Sequence, residues 1–495
     1  MKILSVEQIR EADRLTIERE PISSIDLMER AAAGITDRLT EIFDPNTPFT
    51  IYCGMGNNGG DGLAIARQLR SADYDVRVVV IQHRTTGSPD FETNLSKLNA
   101  FETWSSDDRP EGDEPDRIRI DAILGSGLSQ PLDGFLAEVC QALNRDRRFT
   151  IAVDVPTGIF ADDNRENDLS LALRADATLT FQWPKRALLL PDSGPLCGPF
   201  ELIDIDLDAQ YEDEVLTPNY FVDHYWVAQR YRERPSFAHK NRFGHALLAA
   251  GARGTLGAAI MSARGALRSG VGLLTGYLPG SAELIWPSSV PEAMGVFDPL
   301  PEHLSDLPQL DRYTAIGVGP GIGQDEDTSH MLQNLIRQAS VPLVFDADAL
   351  NILAENLTWL SFCQQMPILT PHPGEFARLS GVSPGPDQYD AALEFAARHQ
   401  CVLVLKGAYT ATALPNGEMY FNSTGHSGLA TGGSGDVLTG LLTGLRAQGY
   451  GVAEAAIMGV YLHGRAAELA LADQSEESLL ATDLPEYFGQ AFAEL

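Results

Sequence analysis

Gly54-Met55-Gly56-Asn57-Asn58-Gly59-Gly60-Asp61 packs two carboxamides and a carboxylate into a run of glycines. The run follows an apolar stretch at 49–53 and precedes Leu63, Ala66 and Leu69 at helical spacing, so it reads as a strand–turn–helix junction. Its G-x-G-x-x-G spacing is the pattern that lets a turn carry backbone amides up to a pyrophosphate. A dinucleotide site of that kind also wants an acid at the end of the next strand to hold a ribose. Here the next strand, 76–81, ends in Gln82-His83, and Asp73 and Asp75 come before it. That counts against a dehydrogenase. A plain tight turn would explain the glycines but not Asn57, Asn58 and Asp61, which can order a phosphate, a ribose or a monovalent cation.

Two further junctions have the same character. Asp121-Ala122-Ile123-Leu124-Gly125-Ser126-Gly127-Leu128 and Val153-Asp154-Val155-Pro156-Thr157-Gly158 each close a strand with a carboxylate and a glycine turn. Singly, each acid could be a helix cap or turn residue. In a doubly wound sheet the loops after the strands gather at one edge, so Asp61, Asp121 and Asp154 are expected to share a crevice.

Four segments of the second half can also do chemistry. Gly319-Pro320-Gly321-Ile322-Gly323 exposes backbone after a strand. Thr370-Pro371-His372-Pro373-Gly374-Glu375 is a rigid bend that aims His372 outward, unless the histidine is only a capping residue. Lys406-Gly407-Ala408-Tyr409-Thr410 ends a strand with a lysine suited to phosphate. In Thr431-Gly432-Gly433-Ser434-Gly435-Asp436 three glycines let amides converge at a helix N-terminus, an anion hole. Asp436, in the first helical turn, is a dipole partner or a base that takes a proton from an attacking hydroxyl. Gly381-Val382-Ser383-Pro384-Gly385 fits G-x-S-x-G but follows a helix, which a nucleophile elbow cannot do. No G-x-x-x-x-G-K-[ST] occurs, which excludes a P-loop.

These residues need elements to hold them. The chain has 495 residues, enough for two or three domains. Ser5 and Gln8 form a capping box, with Leu4 and Ile9 placed for a hydrophobic staple. A second helix is expected near 27–39. Strands are expected at 49–53, 76–81, 118–124, 149–155, 177–181 and 202–205, then at 245–250, 271–278, 314–318, 341–346, 367–370 and 401–406. Strands alternating with helices imply parallel sheets covered on both faces. The rhythm breaks near 208–235: Asp206-Leu207-Asp208, Glu212-Asp213-Glu214 and Pro218 read as an acidic linker, followed by an aromatic and arginine-rich approach to Pro235. Two α/β domains follow, 1–214 and 225–495.

With 36 Lys+Arg against 68 Asp+Glu the net charge is −32, which argues against nucleic acid and anionic membranes as partners. Phosphate must then be held by amides, helix N-termini or bound cations. Five scattered cysteines include no CxxC, so no disulfide framework or thiolate zinc site is expected. The start of the chain carries charge before any apolar core, and no apolar run reaches about 18 residues, so neither a signal peptide nor a membrane span is expected. The protein reads as cytoplasmic.

The segments 4–13, 27–32 and 56–62, followed by Asp121–Leu128 and Asp154–Gly158, resemble the NAD(P)H-hydrate epimerase family over roughly residues 1–210. That resemblance implies a Rossmann-like parallel-sheet sandwich. It implies substrate contacts at Asn57, Asn58, Gly59, Gly60, Asp61, Gly125, Ser126, Gly127, Leu128, Ser129, Gln130, Pro131 and Asp154. Asp154 would move the proton, and Asn58, Asp121 and Thr157 would ligate K+; threonine stands at 157 where serine is the family's usual residue. The second half is similar to ribokinase-like phosphotransferases. His239-Lys240, Gly257-Ala258, 266–272, His372–Glu375 and Gly432–Asp436 narrow this to the NAD(P)H-hydrate dehydratase family over about 235–490. Asn241 departs from the family's Lys-Gly. This resemblance implies a ribokinase-like α/β/α domain, with Ala258, Gly321, His372 and Asp436 on the hydrate and Asp436 catalytic. Lys406, Gly407, Ala408, Tyr409, Thr410 and Gly435 would hold the nucleotide, with Mg2+.

Together the resemblances imply a two-activity repair enzyme. It would epimerise the R and S hydrates NADHX and NADPHX, and dehydrate the S form with ADP, releasing AMP and phosphate. A homo-oligomer is expected. Two other readings stay open at this level: a ribokinase-like kinase of a small alcohol with an accessory N-terminal domain, and a non-catalytic nucleotide-binding module.

Overall fold

The structure, a computed structural model, describes residues 1–107 and 116–495. It falls into two compact units, Lys2–Thr217 and Pro218–Leu495, the second also taking in Met1.

The first unit opens with two helices, Val6–Arg19 and Ser24–Ile42. Each starts at a reciprocal capping box, Ser5 with Gln8 and Ser23 with Asp26. Its sheet has seven strands: β1 (Phe49–Cys53), β2 (Val76–Ile81), β3 (Glu102–Trp104), β4 (Ile118–Ala122), β5 (Thr150–Val153), β6 (Ala177–Phe181) and β7 (Phe200–Ile203). Their order is β3-β2-β1-β4-β5-β6-β7, and every adjacent pair is parallel. Strand alternation sends Phe49, Ile51, Val78, Val80 and Ile120 into one buried cluster, and Tyr52, Val79 and Ile81 into another. Both faces are thus covered, as a parallel sheet requires. The direction of winding reverses between β1 and β4, so the loops after these strands border a crevice.

The second unit has ten strands: β8 (Asn219–Val222), β9 (His245–Ala249), β10 (Leu273–Leu278), β11 (Met294–Phe297), β12 (Ala315–Val318), β13 (Leu343–Phe345), β14 (Ile368–Leu369), β15 (Val402–Leu405), β16 (Ala411–Ala413) and β17 (Met419–Asn422). Their order is β11-β10-β9-β12-β13-β14-β15-β16-β17-β8. The sheet is parallel except where β16 runs against β15 and β17. Here the winding reverses between β9 and β12.

Residues 208–235 are not a linker. They form a helix Ala209–Glu214, the edge strand β8 and a helix His224–Ala228. Tyr220 stacks on Tyr420 of β17 at 4.8 Å, and this aromatic pairing outweighs the acidic composition that suggested a connector. The short strands β3, β11, β16 and β17 were also missed by periodicity. At three or four residues each, they are too brief to show alternation.

Two helices of the second unit, Leu256–Arg268 and Ser434–Ala447, cross at unusually close range. A Cβ on Gly440 would collide with the Ser262 carbonyl, and one on Gly265 with the Val437 carbonyl. This crossing fixes the N-terminal ends of both helices, where Ala258 and Asp436 lie. Gly440→Ala should therefore destabilise this unit by about 1–3 kcal/mol through overpacking. Gly489→Ala, in the helix Leu484–Ala493 with open space around it, should instead be neutral or stabilising by up to about 1 kcal/mol. Thermal denaturation of the two variants checks the contrast.

Candidate active sites

In the first unit the glycine turn exists because nothing larger fits. A Cβ on Gly59 would strike the Gly54 carbonyl, and one on Gly54 the Ile123 carbonyl. The helix Asn57–Ser71 begins at Gly56 with no side-chain cap, so its first-turn N–H groups are not taken by a capping side chain. Asn58 lies against the second turn: its Cγ is 3.0 Å from where a Gly125 Cβ would stand. The Asn58 carboxamide nitrogen is buried without a hydrogen-bond partner.

Asp121 and Thr157 are joined directly. The Thr157 hydroxyl donates to Asp121 Oδ1 at 2.7 Å, and its amide to Oδ2 at 2.8 Å. Burial pushes the Asp121 carboxyl up to about 6, against the Thr157 hydrogen bonds that pull it down.

Asp154 has φ +70°, a left-handed backbone that a non-glycine residue holds only under constraint. The constraint is visible. Lys185 Nζ lies 2.7 Å from Asp154 Oδ1, the Ser126 amide donates to Oδ2 at 3.0 Å, and Thr180 donates at 3.4 Å. Lys185 in turn donates to Thr180 Oγ1 at 2.9 Å and is itself buried. Burial alone would raise the Asp154 pKa, but Lys185 and the Ser126 hydrogen bonds together hold the carboxylate below its ordinary value. Two neighbours go the other way. Burial and the Asp154 charge raise Asp61 well above the usual range, and they raise Asp13, on the first helix, to about 6. Asp61 and Asp154 thus act on each other's charge, while Asp121 is tied to Thr157 of the third turn. Ser129, Gln130 and Pro131 are exposed, on the outer part of the second turn.

In the second unit, Ala258 and Gly321 meet across the switch between β9 and β12. A Gly321 Cβ would be 3.2 Å from that of Ala258, and Gly321 has φ +64°. Thr255 Oγ1 donates to the Gly321 carbonyl at 2.7 Å. His372 plays both roles considered for it. Its Nδ1 accepts from the Gly374 and Glu375 amides at 3.0 and 3.3 Å, capping the helix Pro373–Ser380, while its side chain stays 52% exposed. With Nδ1 accepting, a neutral His372 carries its proton on Nε2.

Lys406 is already engaged by protein. Its Nζ is 2.9 Å from Asp346 Oδ1 and 3.9 Å from Glu375 Oε2. Burial would lower its pKa, but these carboxylates keep it above the ordinary value. The turn after it is closed by Thr410, whose hydroxyl accepts from the Gly407 amide at 3.2 Å; Gly407 and Ala408 are exposed. A Gly435 Cβ would lie 3.2 Å from Lys406 Nζ, which brings the glycine run to the lysine. Gly433, at φ +98°, opens the helix that carries Asp436. Burial and the charge of Asp346 push Asp436 up to about 7, with Lys406 opposing.

Sequence reasoning overlooked several members of these sites. Lys185 and Asp13 lie on segments with no glycine turn. Asp346 has the strand-end placement that flagged Asp121 and Asp154, and could have been found by it. Thr439 donates to Asp346 Oδ2 at 2.7 Å. His463 donates from Nε2 to the Ser434 carbonyl at 2.9 Å, and burial lowers its pKa to about 4, so it braces the glycine loop as a neutral ring. Among the described residues no group of three or more His, Cys, Asp or Glu is arranged to hold a metal, and no helix is long and apolar enough to cross a membrane.

Lys185→Met should leave Asp154 buried and unpaired, costing the first unit about 3–5 kcal/mol at neutral pH. Asp154 would then take up a proton more readily, so the deficit should shrink as the pH falls towards 5. Denaturant midpoints at several pH values check both parts.

The chain matches two family profiles: the YjeF-related protein N-terminus over residues 24–187 and NAD(P)H-hydrate dehydratase over residues 246–489. It is 33% identical to the bifunctional NAD(P)H-hydrate repair enzyme Nnr of Moorella thermoacetica, over 98% of this chain and 96% of that one. It is 34% identical to the enzyme of the same name from Coxiella burnetii, over 96% of each chain. Among solved structures, the ADP/ATP-dependent NAD(P)H-hydrate dehydratase of Bacillus subtilis is 33% identical, covering 55% of this chain and 98% of that one, with a TM-score of 0.49. With close to full-length matches on both sides, the chain belongs to the family of bifunctional NAD(P)H-hydrate repair enzymes.

Proposed function

We propose that residues 1–214 epimerise the C6 hydroxyl of NADHX and NADPHX, and that residues 225–495 dehydrate the S epimer with ADP. The observation that carries this reading is Asp436, a carboxyl with a pKa of about 7 at the glycine-rich start of a helix beside Lys406. A base poised there can lose its proton near neutrality and still accept one from a hydroxyl. Hydroxide is a poor leaving group. Asp436 takes the C6 hydroxyl proton as the oxygen attacks the terminal phosphorus of ADP, and AMP departs. The amides of Gly432–Gly435 receive the phosphoryl charge. Phosphate then leaves C6 as a proton leaves C5, restoring the double bond. Ala258, Gly321 and His372 hold the hydrate; Lys406–Thr410 and Gly435 hold the nucleotide. Mg2+, when bound with the nucleotide held by Lys406–Thr410 and Gly435, would neutralise charge on its phosphates.

In the first unit, two carboxyls with proton affinities driven apart define an acid and a base. Asp61 is the protonated partner and Asp154 the charged one. The C6 hydroxyl leaves as water after taking a proton from Asp61, with the N1 lone pair forming a planar iminium. Water re-enters on the other face and yields its proton to Asp154. The donors present suit K+: Asn58, with a buried carboxamide nitrogen lacking a partner, and the joined oxygens of Asp121 and Thr157 are the groups that would hold it. The ion would add positive charge next to the bound dinucleotide. The five cysteines are unbridged in both units, which supports a cytoplasmic, reducing location.

Recovery of absorbance at 340 nm from mixed NADHX epimers, with ADP or ATP added separately, tests the reading. Full recovery with ADP supports it; none with either nucleotide refutes it. Asp436→Asn should lower dehydration by about 10²–10⁴-fold while epimer exchange persists. Dehydration kcat/KM should fall as the pH drops below about 7, because the base must be unprotonated. Asp346→Asn removes a negative neighbour, so its pH profile should keep that limb but move it to lower pH.

A further inference from the structure

Arg84 follows β2 at the position where the sequence lacks the acid that holds a ribose hydroxyl. Its Nη2 donates to the Met55 carbonyl, and a Cβ on Gly56 would lie 3.7 Å from it, so the guanidinium rests on the glycine turn itself. Arginines of the same unit are mostly spent on carboxylates: Arg14, Arg30, Arg38, Arg67 and Arg77 all have one. Among the described residues Arg84 has none. The nearby Glu92 is used by the Gly87 amide at 2.8 Å. His83, held on the Ile81 carbonyl with its pKa lowered by burial, adds no charge. Only one arm of the guanidinium is committed, out of five N–H donors.

The topology says which end of a dinucleotide passes this arginine. β1, with the pyrophosphate turn, stands between β2 on one side and β4 then β5 on the other. Asp121 and Asp154 belong to the β4 and β5 side, so the reacting ring lies there and the adenosine end runs over β2. We propose that Arg84 recognises a phosphate on the 2′ position of the adenosine ribose, favouring NADPHX over NADHX in the first site; this rests on the epimerase reading above. An arginine matches a phosphate through parallel charge-assisted hydrogen bonds, whereas a 2′ hydroxyl offers it little.

The test is epimer exchange by the full chain without ADP, with R and S forms separated by chromatography, for NADHX and NADPHX. Arg84→Gln should lower the ratio of kcat/KM for NADPHX to that for NADHX about tenfold or more, and Arg84→Glu should lower it further. An unchanged ratio, or an equal fall for both substrates from loss of the Met55 brace alone, would overturn the proposal. Absence of exchange by the unaltered protein on either substrate would instead overturn the epimerase reading on which it rests.

Discussion

Each unit sets one ammonium, buried at Lys185 and half-buried at Lys406, against more carboxylates than it can neutralise. Lys185 faces Asp154 and Asp13, with Asp61 close to both acids; Lys406 faces Asp346, Glu375 and Asp436. Lys185 holds Asp154 below its ordinary pKa while burial and the Asp154 charge raise Asp61 and Asp13; in the second unit burial and the Asp346 charge raise Asp436. The two sites therefore derive acid–base character from the same shortage of positive charge, on unrelated loops. In a chain with net charge −32, Arg84 on the glycine turn of the first unit is a further cation at these edges. Bound ions and backbone amides supply the rest of what phosphate needs.

The sheets make this arrangement possible. In both units the winding reverses in the middle of a parallel sheet, so loops far apart in sequence open on one crevice. Glycines at the closest approaches, Gly54 on Ile123 and Gly319 on Asp346, let those loops nest. The left-handed backbone at Asp154 and at Ala347, next to Asp346, falls beside the two lysine-paired acids.

Much of this was legible in the sequence because it is local. A strand-end acid before a glycine turn pointed to Asp121 and Asp154, and an acid closing a glycine run that opens a helix pointed to Asp61 and Asp436. The long strands were found by apolar runs. What stayed hidden depends on tertiary packing. Lys185 follows β6 after a turn with no glycine, and His463 lies mid-helix in Val452–Ala470, where a buried histidine looks like any core residue. β8 was hidden by its acidic surroundings, since its reason for being a strand is β17, far along the chain. Lys406 was seen as a phosphate ligand, and only the folded chain reveals that Asp346 already claims it.

That edge strand also governs timing. Asn219 pairs with Met419, so β8, whose Phe221 meets only Met1 among earlier residues, emerges from the ribosome some two hundred residues before its one neighbouring strand among the described residues exists. At about 5–20 residues per second this is a wait on the order of 10–40 s. The first unit, complete by Thr217, has that interval to reach its native state while translation of the other continues. The second sheet must hold its closing strand in reserve until synthesis is nearly done, and a ribosome stalled before Met419 leaves that strand unmatched.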